Sequence, residues 1–255
     1  MQSAITSCAH VETLSVACRP GVNLVLTCSP VLIRAYMISC PAREELRAAT
    51  IASLKAGGWL EAPVVCLEDR QWELPLHRHM ALVRSALELA RRDAQAQMIL
   101  FLEDDVIFNR HFRQNLEAWQ PLRAHRPGDH FFASLFNPGV RFLRSDLPRA
   151  CAEAKPDSVC GSQALLIARR TVQFFATCWG SYSAFNADIK LARLAAKLCP
   201  ILFHQPSLVQ HVGKESCWGG PFLDARDFEA EWLSPACSGA VAVRCHTGSA
   251  NLAKV

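Results

Sequence analysis

Three short apolar runs, Ile33–Ser39, Ala62–Leu67 and Gln97–Leu102, alternate with two stretches of helical periodicity, and this alternation restricts the fold more than any other feature of the chain. Ala42–Ala56 places Leu46, Ala49, Ile51 and Leu54 at helical spacing before Gly57-Gly58 closes it. His79–Asp93 carries Leu82, Ala86, Leu89 and Ala90 on one side. The runs between them suit strands covered on both faces. Strand–helix–strand–helix–strand at this spacing implies right-handed crossovers. The expected fold class is therefore α/β: a single domain with a mostly parallel central sheet flanked by helices. An apolar fraction of 51% in 255 residues supplies the core for one such domain.

Weaker patterns continue the chain. Asn109–Trp119 reads as helix, 120–130 as a polar loop, Phe131–Phe136 as a strand and Asn137-Pro-Gly139 as a turn. A small-residue turn at Cys160-Gly-Ser-Gln163 enters a strand reaching Ile167; Arg170–Trp179 and Ala187–Cys199 read as helices, and Ser207–His211 as a short strand. Residues 1–33 are expected to be a poorly ordered leader, 34–235 the domain, and 236–255 a flexible tail.

Charge excludes one class of partner. The balance of 27 basic against 23 acidic residues is mildly positive, and no basic block is interleaved with aromatics, so no nucleic-acid partner is expected. The balance suits an anionic small molecule or an acidic membrane face. Twelve cysteines without a C-x-x-C pair give no zinc ribbon or thioredoxin motif, and reduced core thiols are the expectation over a disulfide framework. The apolar run 22–33 is short and broken by Pro30, so no transmembrane segment is expected. The first twenty residues lack the pattern of a signal peptide. Localisation is expected to be cytoplasmic, with peripheral membrane contact only through a substrate.

Ligands of parallel α/β sheets gather at the carboxyl ends of the strands. Ser39-Cys40, Glu68-Asp69 and Glu103-Asp104-Asp105 stand at three such ends and are expected to border one cleft. Three consecutive carboxylates repel one another, and a divalent metal, Mn²⁺ or Mg²⁺, resolves that conflict while bridging to phosphates. Alternation along an extended chain puts Glu103 and Asp105 on one face. The bland alternative is an acidic loop capping the next helix.

The stretch Met98-Ile-Leu-Phe-Leu-Glu-Asp-Asp-Val-Ile-Phe108 resembles the acidic metal-binding segment of glycosyltransferases with the GT-A fold, although it reads Glu-Asp-Asp where Asp-x-Asp is usual. Tyr36-Met-Ile-Ser-Cys-Pro-Ala-Arg43, with Arg47 beyond it, is similar to the opening strand and turn of the lipopolysaccharide glycosyltransferases of family 25. Pro206-Ser-Leu-Val-Gln-His-Val-Gly213 resembles a segment of the N-acetylglucosaminyltransferases of family 54. The resemblance covers about residues 34–216 in ordered pieces.

It implies a GT-A-like domain that uses a nucleotide-sugar donor, plausibly a UDP-sugar, and a glycan, lipid-linked or protein acceptor. Asp105, with Asp104 or Glu103, would hold the metal on the donor diphosphate, and His211 would add a ligand or a diphosphate contact. Glu68 and Asp69 would lie near the nucleoside, and Ser39, Arg43 and Arg47 would contact nucleotide or phosphate. Gly161, Ser162 and Gln163 would border the donor sugar. Asp188 would be the base that takes the acceptor proton in an inverting reaction. Each has a structural alternative: Asp188 as a helix cap, His211 as a hydrogen-bonded structural histidine, Arg43 and Arg47 as solvated helix arginines. His77 and His79 read as surface residues. Two other functions fit the acids: a nucleotidyltransferase or phosphotransferase, for which the glycine-rich, lysine-bearing phosphate loop is missing, and an inactive transferase-like domain that binds sugar.

Overall fold

In a computed structural model of the chain the described residues are 31–68, 74–138, 151–156, 159, 161–183, 186–218 and 222–237. Most of the expected leader and tail, and Asp69, Gly139 and Cys160, lie outside them. The described residues from Val31 onward belong to one compact unit.

The first three strands, β1 (Ile33–Ser39), β2 (Val64–Leu67) and β3 (Met98–Glu103), arise where the apolar runs stand. Between them lie the helices α1 (Glu44–Ala56), entered through a 3-10 turn at Pro41–Arg43, and α2 (Pro75–Arg92). Pro75 opens α2 four residues earlier than the periodicity suggests, because proline at the first helical position needs no amide partner. Next come β4 (Val106–Phe108), α3 (Phe112–Ala118), α4 (Gln120–Ala124), β5 (Phe132–Ser134), β6 (Cys151–Ala154) and β7 (Ala164–Ala168). The chain continues through α5 (Arg169–Cys178), α6 (Ala187–Ala195), β8 (Ile201–His204) and β9 (Val209–His211). Part of the expected 120–130 loop is thus helical: Pro121 nucleates α4, and Leu122 is buried under it.

Seven strands form one sheet in the order β2-β1-β3-β7-β5-β8-β6. Only β7 and β6 oppose the common direction, so five of the seven point the same way, and the expected mostly parallel α/β sheet is present. Alternate residues of β3 feed opposite faces. Ile99 and Phe101 pack with Leu82, Val83, Leu87, Phe175 and Leu191 beneath α2, α5 and α6. Met98, Leu100 and Leu102 pack with Leu54, Trp59, Phe112 and Leu116 beneath α1 and α3. Residues past Asp227, where periodicity fades, are held under α3: the Asn109 and Asn115 side-chain amides donate to the Trp232 carbonyl at 3.0 and 2.9 Å. Among the described residues no helix is long and apolar enough to cross a membrane.

The second, two-stranded sheet pairs β4 with β9, setting Val106 opposite His211. It begins immediately after the acidic triplet and brings a late histidine onto it.

The core also contains an acid-sensitive ring. His204 is buried between Trp119 and Trp232, and its Nδ1–H donates to the Pro206 carbonyl at 2.6 Å. Burial pushes its pKa down to about 4, only partly opposed by that bond. The unfolded ring titrates near 6.5, so the unfolded state binds more protons between those values and stability falls as pH drops through the window. Urea titrations at pH 7 and pH 4.5 should show a loss of about 2 kcal/mol from this ring, reduced in His204→Phe.

Candidate functional site

Glu103 ends β3 and pairs in register with Ile38 of β1, so the acids emerge at the carboxyl edge of the parallel strands. Glu103 and Asp105 line one cleft of about 380 Å³ together with Arg43, Gly161, Ser162, Gln163, Asp188 and His211. Asp104 points the other way. Its carboxylate accepts from the Ser39 hydroxyl at 2.6 Å and from Arg43 Nη1 at 2.8 Å, and its carbonyl accepts from Thr50 Oγ1 at 2.8 Å. The expected metal-ligand role does not suit Asp104, whose side chain is wholly buried and engaged away from the cleft.

Asp105 sits at the centre of the charge pattern. Its Oδ2 lies 2.7 Å from Arg43 Nη2 and 3.1 Å from His211 Nε2. Burial raises its pKa, but the His211 bond and the Arg43 charge outweigh burial and hold the carboxyl below the usual range. His211 moves the opposite way: burial lowers its pKa, and the bond and charge of Asp105 more than reverse that. Its Nδ1–H donates to the Leu223 carbonyl at 3.0 Å, which fixes the ring and aims Nε2 at the carboxylate. Phe222 stacks on the imidazole at a centroid distance of 5.0 Å.

Glu103 behaves differently from its neighbour. Burial first, and the Asp105 charge second, push its pKa up to about 8. The Ser162 hydroxyl donates to its Oε1, and His79 Nε2 lies 3.9 Å from the same oxygen. Burial lowers His79 to about 4, which leaves a neutral ring stacked on Trp218 at 4.6 Å. His79 therefore lines the cleft, contrary to the surface reading, whereas His77 is exposed. On α2 the two are separated by about 200° of helix rotation, so one faces out when the other faces in.

Arg43 is likewise buried and not a solvated helix arginine, because the 3-10 turn before α1 directs it beneath the acids. It also donates to the Glu215 carbonyl at 2.8 Å. Arg47 does not reach the cleft; its Nη1 donates to Ser39 Oγ at 2.8 Å, which in turn supports Asp104. Glu68 pairs with Arg78 at 3.1 Å beside a separate groove formed by β2 and α2. Ser39, Arg47 and Glu68 thus stand behind or beside the cleft and do not line it.

Opposite the acids, Gly161 adopts φ +86°, and a Cβ there would collide with the Gln163 side chain, so the turn requires glycine. Its amide donates to Asp188 Oδ2 at 2.6 Å, which couples α6 to the turn. The N-cap of α6 is Asn186, and Asp188 lies within the first turn, where its Oδ1 accepts the Ile189 amide at 2.7 Å. Gln163 Oε1 and the Trp218 indole nitrogen are buried without hydrogen-bond partners.

Sequence reading missed Trp218, Gly213 and His79. Gly213 has a packing reason: a Cβ there would stand 2.2 Å from Asp105 Oδ2 and 2.7 Å from Arg43 Nη2. Gly213→Ala must push the ion pair apart, at about 1–3 kcal/mol for overpacking alone. A urea midpoint unchanged from wild type would contradict this contact.

No family model matches the chain, and no curated protein does, so the segments likened to families 25 and 54 gain no support from sequence comparison. The chain does resemble solved structures. One is a Drosophila β1,4-galactosyltransferase 7 variant in complex with manganese, UDP-Gal and xylobiose, at 13% identity and TM-score 0.42 over 71% of each chain. A glycosyltransferase involved in glycosylation of the major capsid of PBCV-1 is similar at 11% identity and TM-score 0.46, over 73% of this chain and 95% of that one. The galactosyltransferase LgtC with donor and acceptor sugar analogues is similar at 12% identity and TM-score 0.41, over 77% and 92%. At this level the likeness concerns the layout of the chain and reaches no individual residue.

A divalent cation can be tested against the donors themselves. Among the described residues no three His, Cys, Asp or Glu side chains converge as a ligand set. Two donors do meet: Asp105, whose Oδ1 is buried without a hydrogen-bond partner, and His211 Nε2, beside the same carboxylate. A hard cation that keeps waters and substrate phosphates in its shell fits such a two-donor site.

Proposed function

We propose that the chain is a glycosyltransferase that moves a sugar from a nucleotide-diphosphate donor, such as a UDP-sugar, to a hydroxyl of a glycan, lipid-linked or protein acceptor. The observation that carries this reading is the meeting of Glu103, Asp105, His211, Asp188 and the Gly161–Gln163 turn around one cleft at the carboxyl edge of the sheet. The orphaned Asp105 Oδ1 supports a divalent cation held by Asp105 and His211. Bound there, Mn²⁺ or Mg²⁺ would supply positive charge for the diphosphate that departs.

The chain's own groups suit the remaining work. Arg43, buried beside Asp105, brings fixed positive charge close to the leaving group. The partnerless Trp218 N–H and Gln163 Oε1 offer a donor and an acceptor for sugar hydroxyls. Asp188 faces the cleft from the opposite side and retains lone pairs on both oxygens to accept an acceptor hydroxyl proton, the role an inverting reaction needs.

One observation favours a second reading, a transferase-like domain that binds without turnover. Arg43 and His211 already share Asp105 Oδ2, so the carboxylate is charge-balanced without a metal. Calorimetry with common nucleotide sugars, with and without Mn²⁺, separates the readings. The transferase predicts that one donor binds about tenfold or more tighter with Mn²⁺ and that donor hydrolysis or transfer follows. Metal-indifferent binding without turnover supports the second reading, and no binding of any donor defeats both.

A further inference from the structure

The sulfur of Cys40, at the end of β1, lies 3.3 Å from that of Cys217, 177 residues later in the segment after β9. Both are free thiols, and among the described residues no other two cysteine sulfurs make such a contact. We propose that Cys40 and Cys217 are a disulfide-forming pair that covalently ties the His211–Trp218 segment to the carboxyl end of β1.

The two backbones are held in place independently of the sulfurs. The Cys40 carbonyl accepts the Arg43 amide at 3.1 Å and Arg47 Nη1 at 3.3 Å. Across the gap, the Cys217 carbonyl accepts from Arg78 Nη2 at 3.3 Å, and the Glu215 carbonyl accepts from Arg43 Nη2 at 2.8 Å. Arg43 is therefore hydrogen-bonded to both sides, and the thiols face each other across a gap that it already bridges. A disulfide needs a sulfur separation of about 2.05 Å, so closure asks for an approach of a little over 1 Å, within reach of side-chain rotation. The two thiols meet beside the segment that carries Ser216 and Trp218 into the cleft.

Unequal access sets the order of events. Cys217 is half-buried, whereas Cys40 is 5% exposed. With a small-molecule disulfide RSSR as oxidant, the Cys217 thiolate attacks one sulfur, forms Cys217–S–S–R and releases RS⁻, which takes a proton from solvent. Cys40 then loses its proton to solvent and attacks the Cys217 sulfur, displacing the second RS⁻. Two protein thiols are oxidised to one disulfide, and RSSR is reduced to two RSH. The product holds Trp218, Ser216 and the Arg43 turn as one covalent unit. This inference rests on the sulfur geometry and stands whether or not the cleft transfers sugar.

The test uses the full chain, freed of reductant and equilibrated with oxidised glutathione, followed by peptide mapping without reduction. The expected result is a Cys40–Cys217 linked peptide with a mass loss of about 2 Da, reversed by dithiothreitol. Hydrogen exchange at residues 212–218 should slow severalfold in the oxidised protein. Cys40→Ser should instead accumulate a stable glutathione adduct on Cys217, because the resolving thiol is gone. A wild-type protein in which Cys217 keeps the adduct while Cys40 stays free would overturn the proposal. So would one in which both remain thiols after other cysteines have reacted. The wild-type map decides the matter even if a serine variant fails to fold.

Discussion

Arg43→Met should be the most destabilising single substitution at the cleft, lowering folding stability by about 3–5 kcal/mol in urea titrations at pH 7. The guanidinium bridges Asp104 at 2.8 Å and Asp105 at 2.7 Å, and neither carboxylate has appreciable access to water. Without it, two adjacent buried carboxylates remain, Asp104 supported by Ser39 and Asp105 by His211. The cost arises from the uncompensated charge left behind and not from any large worth of the pair itself. Methionine keeps much of the stem volume, so a small loss would show that the acids are hydrated or neutral. Adding Asp104→Asn to Arg43→Met should restore part of the stability by removing one stranded charge.

Asp105→Asn should have the opposite profile, with a modest stability change and a drop of about 100-fold or more in transfer rate. Asparagine keeps the shape of the side chain, and Arg43 keeps Asp104. His211, whose pKa Asp105 raises, simply gives up its proton. What is lost is the carboxylate facing His211 Nε2 at 3.1 Å, one of the two protein donors proposed for the cation. Transfer and Mn²⁺-dependent donor binding should fall together. A variant that turns over at the wild-type rate would remove Asp105 from the chemistry.

Local pattern carried the first half of the domain. β1 spans the run Ile33–Ser39, and β3 differs from its expected span by one residue at each end, because both are apolar runs with clear stops. Alternation likewise separated Glu103 and Asp105, which line the cleft, from Asp104, which does not. Two short strands that depend on distant pairing were not legible. Val106–Phe108 reads as an apolar continuation of the acids, and it is a strand only because β9 arrives beside it. Ile201–His204 is four residues long and depends on β5 and β6 for its register. The burial of Arg43 was not legible, because the Glu215–Trp218 segment that covers it lies some 170 positions away. The same distance hid the meeting of Cys40 and Cys217 from any spacing rule.

The short β4–β9 ribbon has a consequence for when this protein can work. It brings Asp105 against a partner 106 residues downstream, so the cleft is incomplete until His211 has been made and folded back onto the acids. A nascent or truncated chain ending before His211 would hold the acids and most of the sheet yet lack the imidazole that faces them. Formation of the core and completion of the cleft are therefore separate events, divided by the stretch of chain between Asp105 and His211.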